Sequence, residues 1–534
     1  MNSHSSVLRD FTVDRRVWLL SAIAMVIGAG AAMLAVVLLK AIALATNIFY
    51  YHRLSLASVT PAGSPLGHWM PIVPIVGGLI VGLMARFGSD KIRGHGIPEA
   101  IEAILLNGAK VNPSIAVLKP ISAAISIGSG GPFGAEGPII MTGGAFGSLV
   151  AQWVHLTDAE RTTLLVAGAA AGMSATFAAP LSAILLAVEL LLFEWRPRSL
   201  IPVAFASITA MVVRVVWLGS GPLFAMPNLP YEQTAKVCFI AIGLGLLVGV
   251  AAAFLSRLMY GFEDLFEHIP LHWMWWPAIG GIGIGLGGFF FPRGLGVGYD
   301  NIAELLRGNA PLSLLLGLVL AKSLMWAFSL GSGTSGGVLA PLLMIGGALG
   351  ELAAHAAHAS APEQALWAAV GMGAMLSGSL GVPLTAILFC LEITRCLPLM
   401  LPLMLGCIAA YAMTSLIMPR SILTEKLSRR GYHLTREYGT DPLETVSLSE
   451  VMSELGKKDC GAGTEAQLPE IYAFTDETSR AAVEKMAVSG LTSLPVVDRT
   501  TLGICGTVSL QNLLLGRRKA IKREQERNRV FASR

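Results

Sequence analysis

Residues 128–151 read GSGGPFGAEGPIIMTGGAFGSLVA, and residues 331–354 read GSGTSGGVLAPLLMIGGALGELAA. The two stretches stand 203 residues apart (331 less 128). The same offset sets APLSAILLAVE (179–189) against VPLTAILFCLE (382–392) and Lys119 against Lys322. One unit of about two hundred residues has been doubled. At its register position the first copy has Glu136, a carboxylate in an apolar stretch, and the second has Leu339. Doubled hydrophobic halves with Gly/Pro-broken segments at matching places are the pattern of transporters and related pores.

Composition fixes the solvent. The 534 residues are 54% hydrophobic and 13% charged, about half the charge of a soluble domain. Apolar runs begin near Val17 and recur to about Met418. The first, from Val17 to roughly Phe49, is too long for a signal-peptide core. The chain reads as an all-α polytopic membrane protein. Arg9, Arg15 and Arg16 precede the first span, and Arg420, Lys426, Arg429 and Arg430 follow the last. The positive-inside rule then puts both ends in the cytoplasm, most simply of a cell with the protein in its plasma (inner) membrane. Cys238, Cys390, Cys396, Cys407, Cys460 and Cys505 show no metal-ligand spacing and read as reduced thiols. The net charge of +4 comes mostly from the tails and indicates no nucleic-acid partner.

Several apolar segments open at proline: Ile97-Pro98, Gly137-Pro138, Ala179-Pro180, Ala340-Pro341 and Val382-Pro383. Proline in a first helical turn forfeits nothing, since its missing N–H would have had no partner there. Irregular backbone at membrane depth survives only where protein or a water-filled cavity surrounds it. These helices are therefore expected to start inside the bilayer, aiming their amino ends at an interior site. Such an end carries about half a positive charge and free N–H groups, which favour an anion. The loops GHGIP (94–98), GAEGP (134–138) and GGVLAP (336–341) contain no Arg or Lys. Partial charges suit a permeating monovalent anion, because conduction requires binding weak enough to permit exit. The plainer reading is glycine for close helix packing.

GHGIPEA (94–100), GAEGP, GGVLAP and the terminal SILTEKLSRRGY (421–432) together resemble the CLC family of chloride channels and chloride/proton antiporters, over about residues 17–432. The resemblance implies two inverted, structurally repeated halves, about 17–218 and 235–418, with broken helices. It also implies a homodimer with one pore per subunit, chloride as the bound ligand and no other cofactor. The implied anion site is lined by His95, Gly96, Ile97, Ala135, Gly137, Val338, Leu339, Ala340 and Leu423, with Glu136 as the gate. An unpaired carboxylate beside an anion site competes for the same N–H groups, and an ionisable group at membrane depth is a functional candidate by default.

The departures from that family's pattern carry information. His95 replaces a serine, Leu423 a tyrosine and Leu339 a phenylalanine. At the inner proton station the chain reads Glu189-Leu190, with Leu190 at the usual glutamate position, leaving Glu136 and Glu189 as the acidic residues of any proton pathway. Leu423 cannot donate a hydrogen bond and Leu190 cannot carry a proton. Together these changes favour passive chloride conduction, pH- or voltage-dependent, with a chloride/proton antiporter of atypical proton pathway as the alternative. His95, with an ordinary pKa near 6.5, either switches anion occupancy with acid or simply stands in as a neutral donor. Lys119 and Lys322 are expected to snorkel to the membrane surface; Lys119 also matches a lysine near the family's anion route, so the resemblance implies long-range attraction of chloride as its alternative.

A non-transport reading also exists. Gly-Ser-Gly in an apolar helix is similar to an intramembrane serine protease, with Ser129 as nucleophile and His355 or His358 as base. The duplicated Gly-Ser-Gly at 331–333 argues against it, since one catalytic site needs no second copy. The chain is read as no enzyme.

The remaining segments read as a cytoplasmic tail (1–16), a linker (433–470), a small α+β cytoplasmic domain (471–516) and a basic tail (517–534), either close to anionic lipid or simply solvated. The third of these shows strand, helix, two strands and helix and looks like one CBS module. Its closing Ser509-Leu510-Gln511-Asn512 lacks the acidic residue that would favour a nucleotide.

Overall fold

The computed structural model describes residues 15–192, 194–227, 229, 235–432, 441–454 and 469–529. Arg9, Cys460 and much of the expected linker lie outside them. The chain divides into two units, Met1–Thr435 and Arg436–Arg534.

The described residues of the first unit form helices joined by irregular loops. Its first half runs α1 (Arg16–Tyr51), α2 (Ile72–Phe87), α3 (Ile97–Leu106), α4 (Pro113–Gly128), α5 (Glu136–Gln152), α6 (Asp158–Phe177), α7 (Pro180–Leu186, continued by a π-helical turn Ala187–Leu192) and α8 (Pro197–Leu218). The second half runs α9 (Ala235–Glu267), α10 (Trp276–Phe290), α11 (Tyr299–Leu305), α12 (Leu312–Leu316, continued by a π-helical turn Gly317–Lys322), α13 (Ser323–Gly331), α14 (Leu339–Ala356), α15 (Ala361–Leu380), α16 (Pro383–Thr394) and α17 (Met400–Ile417). α18 (Ile422–Arg429) closes the unit. Among the described residues seven helices are long and apolar enough to cross a membrane, while Pro113–Gly128, Pro180–Leu192 and Pro383–Thr394 are apolar but short. The protein is a multi-pass integral membrane protein.

The 203-residue offset survives into three dimensions. α6 and α15 begin and end in register, and each starts on a capping box, Thr157 with Glu160 and Ser360 with Glu363. Hydrophobic burial does not drive helices together within lipid, so close packing of small residues does. Gly143 of α5 and Gly168 of α6 approach so tightly that a methyl on either would strike the other's carbonyl, and Gly346 of α14 and Gly371 of α15 repeat the contact.

The halves are inverted copies, and their reciprocal contacts follow from that relation. Glu189 accepts from the amides of Leu384 (3.2 Å) and Thr385 (2.8 Å) at the amino end of α16. Its mate Glu392 accepts from Leu181 (2.9 Å) and Ser182 (2.8 Å) at the amino end of α7. These orphan amides have no intrahelical acceptor, and each half supplies the carboxylates the other lacks.

The second unit holds α19 (Pro442–Thr445), α20 (Leu448–Val451), β1 (Ser453–Glu454), β2 (Ala473–Phe474), α21 (Ser479–Ser489), β3 (Ser493–Val497), β4 (Ile504–Ser509) and α22 (Leu510–Arg529). The order strand, helix, strand, strand, helix expected over 471–516 is the observed one. The sheet runs β1-β4-β3-β2, with β2 parallel to β3 and the other pairs antiparallel. Leu494, Val496 and Val508 face a small core with Ala482, Met486 and Leu513.

Candidate functional site

Three glycine-rich loops meet at one place. The amide of Gly94 donates to Gly333 O (3.3 Å) and that of Gly336 to Gly94 O (3.4 Å). Gly134 and Gly337 exchange both backbone hydrogen bonds, at 3.2 and 2.8 Å, as an isolated antiparallel bridge. Approach this close excludes side chains. A Cβ on Gly137 would strike His95 O and lie 3.3 Å from Gly337 Cα. Gly96, the residue before α3, has φ +87°, a conformation that glycine alone adopts freely. The amino ends of α3, α5 and α14 thus converge on one point, each with its first amides unpaired within the helix.

Glu136, the first residue of α5, is fully buried there. Its carboxylate lies against Gly134 and Gly337, so that a Cβ on Gly337 would come within 2.6 Å of Oε2. The amides of Glu136 and Ala340 are directed at it and Lys322 acts on it electrostatically, yet neither oxygen accepts a hydrogen bond of regular geometry. A buried carboxylate so poorly satisfied is costly. His95 is 2% exposed and neither ring nitrogen has a partner among the described residues. Around it stand Lys426, Lys119 and Arg430, with Glu99 as the counter-charge. Gly96, Ile97, Ala135, Gly137, Val338, Leu339 and Ala340 are all buried at the same junction.

Leu423 is completely buried on α18. That helix is held by Tyr260 Oη donating to Ile422 O (2.6 Å) and by Lys426 Nζ meeting Glu99 Oε1 of α3 (3.0 Å). Glu189 stands apart from the loops: its bonds all go to Leu384 and Thr385, and the adjacent Leu190 is fully buried.

Lys119 and Lys322 do not snorkel. Both are fully buried. Lys119 Nζ donates to Ile92 O (2.8 Å) and Gly94 O (2.7 Å), bracing the loop before α3. Lys322 Nζ donates to Gly294 O (2.8 Å) and Gly296 O (2.9 Å), bracing the loop before α11. The expectation failed because it weighed the cost of a buried ammonium without the carbonyls that an irregular loop offers at the same depth. The protease constellation is not assembled either. Ser129 Oγ donates to Ser126 O (3.0 Å), and His355 and His358 are exposed at the opposite end of α14.

The voltage gated chloride channel family profile matches residues 77–415. The chain belongs to the CLC family. An H(+)/Cl(-) exchange transporter ClcA of Vibrio campbellii is 31% identical over 392 residues, 69% of this chain and 81% of that one. Chloride channel protein CLC-f of Arabidopsis thaliana is 30% identical over 63% of this chain and 46% of its own length. The fold is similar to that of a slow cyanobacterial Cl-/H+ antiporter, with a TM-score of 0.68 and 24% identity over 78% of this chain and 99% of that one. Within this CLC protein, the sequence did not single out Tyr299. Its signal was present: Tyr299 opens α11 after the glycine turn Gly296 to Gly298 as Ile97 opens α3 after Gly94 to Gly96, at an offset of 202.

Proposed function

We propose that the protein conducts chloride passively across its membrane, one pore per chain, with Glu136 as the gate. The observation that carries this reading is the Glu136 carboxylate itself, buried without a regular hydrogen bond where three helix amino ends converge. Ionised, it occupies the place an anion would take; protonated, it gives way. Ala135, Gly137, Val338, Leu339, Ala340, His95, Gly96 and Ile97 supply the surrounding backbone and the His95 ring, and Leu423 an apolar wall. Gating then depends on pH through Glu136, and on voltage because the gate charge and the anion share one path. Leu190 supports conduction over exchange, since it cannot relay a proton, and Glu189 is committed to helix α16.

The second reading is chloride/proton exchange, favoured by the name of the Vibrio relative. The chain in liposomes under a chloride gradient, with a proton-sensitive dye, separates the two. Chloride flux without uphill proton movement supports conduction, coupled proton movement supports exchange, and absence of chloride flux rejects both.

A homodimer in the plasma membrane with both termini cytoplasmic is part of the same proposal. Leu181 and Leu384, exposed register-mates on the neighbouring helices α7 and α16, offer an apolar face to a second copy. The second unit is read as a CBS-like module that binds no nucleotide. Asn512, where an acidic residue would favour one, turns its amide to Val451 O (2.9 Å) and Ser453 Oγ (3.0 Å). No enzymatic activity, cofactor or nucleic-acid partner is proposed.

A further inference from the structure

A cavity of about 610 Å³ opens at the end of α1 remote from Arg16, lined by the 58–62 loop, the last turns of α8 and the 295–301 segment. Its charged lining is Lys40, Arg214, Arg293 and Asp300. Arg293 is paired with Glu304, and Lys40 and Asp300 are exposed. Arg214 is different. It is 4% exposed, its Nη1 donates to Gly219 O (2.8 Å), and its Nε has no partner among the described residues. Arg395 lies within electrostatic reach and repels it. A guanidinium N–H left empty in a buried setting is expensive, and a second cation nearby makes an anion the natural complement.

The inner wall of the cavity leads toward Glu136. Gly296, a lining residue, donates its amide to Gly130 O (3.0 Å), four residues before Gly134. Tyr299 lines the cavity and lies within electrostatic reach of the Glu136 carboxylate. Its ring is wedged edge-on against Phe177 and Phe224, with centroids 6.5 and 6.0 Å away, so it is held in place. Its hydroxyl is buried and makes no hydrogen bond among the described residues. Two buried, unfilled donors therefore line one cavity, and of the two Tyr299 lies within electrostatic reach of the gate.

We propose that this cavity is an antechamber that binds a monovalent anion on the Arg214 Nε–H, from which the Tyr299 hydroxyl hands it to the position Glu136 vacates. The inference rests on the anion-conducting reading above. No bond is made or broken; the anion exchanges water for one charged donor and then for one neutral donor. Arg214 thus sets how much anion accumulates, and Tyr299 how fast it passes.

The test is the full-length protein in planar bilayers, with chloride varied on each side separately. Arg214→Gln is expected to raise the half-saturating chloride concentration on one side about tenfold, the effect of one charge-assisted hydrogen bond, and to leave the other side unchanged. Arg214→Lys, which keeps the charge but cannot place a donor at Nε, should fall between. Tyr299→Phe should lower the maximal current with little change in that concentration. A merely structural role would alter both sides together. Currents from Arg214→Gln and Tyr299→Phe that match the unsubstituted protein on both sides would overturn the antechamber. So would a loss that is equal on both sides in Arg214→Gln and persists in Arg214→Lys. If the unsubstituted protein passes no chloride, the conducting reading itself is what fails.

Discussion

Glu189 and Glu392, 203 residues apart, each lay a carboxylate across the amino end of the helix that carries the other. Glu189 reaches Leu384 and Thr385, and Glu392 reaches Leu181 and Ser182. Each staple satisfies two amides that α7 and α16, both opening at proline, leave unpaired. The inverted halves are locked to one another by the same device used twice.

Replacing Glu189 or Glu392 by Gln keeps the shape and removes the charge at each staple. Each change is expected to cost about 1 kcal/mol, read as a lower melting temperature of the purified protein. Chloride flux and its pH profile should be those of the unsubstituted protein. A changed proton coupling in Glu189→Gln would return that residue to a proton pathway.

Glu136→Gln removes the competitor from the loop junction. With no ionisable group left at the gate, chloride flux in liposomes should rise about tenfold at neutral pH, the weight of roughly one charge-assisted hydrogen bond. It should also lose most of its pH dependence. Unaltered pH and voltage dependence in this variant would refute the gate.

His95 presents two unpartnered ring nitrogens to a junction surrounded by three cations. His95→Ser keeps one hydrogen-bond donor and removes the titrating ring. If the imidazole switches occupancy, the pH–current curve of this variant will shift along the pH axis. A curve that stays in place assigns the ring a plain donor role.

Lys119 and Lys322 each hold two carbonyls of an irregular loop. Lys119→Met and Lys322→Met strand those carbonyls in a dry interior, at an expected cost of about 2–4 kcal/mol each. Thermal unfolding in detergent reads it. A loss in one variant and none in the other would show that the two braces are not equivalent.

In the second unit, Asp498 closes the turn between β3 and β4. Hydrogen bonds from the Thr500 hydroxyl and from the Thr501 and Thr500 amides lower its pKa from 3.8 to about 2. Because the folded value lies below the unfolded one, the turn gains stability that is fully present above about pH 4 and is lost as pH falls toward 2. Carbon-detected NMR titration of the Asp498 carboxyl should place its midpoint below that of a free aspartate, and Asp498→Asn should abolish the acid-side loss.

Sequence alone determined the membrane setting, the doubling and the proline-led helix starts, because these follow from local composition and a fixed offset. It also marked Glu136, since a carboxylate within an apolar run is conspicuous without any coordinates. The fate of the two buried lysines, the crossed carboxylate staples and the place of Tyr299 required the tertiary structure. In each case the deciding partner is remote in sequence or is a backbone carbonyl, which has no residue identity to read. Lys119 and Lys322 look like surface cations until irregular loops at membrane depth bring oxygens to them. Glu189, marked by its acidity alone, gains a second role as a helix cap only when an inverted copy of its own helix presents it with amides 195 and 196 residues away.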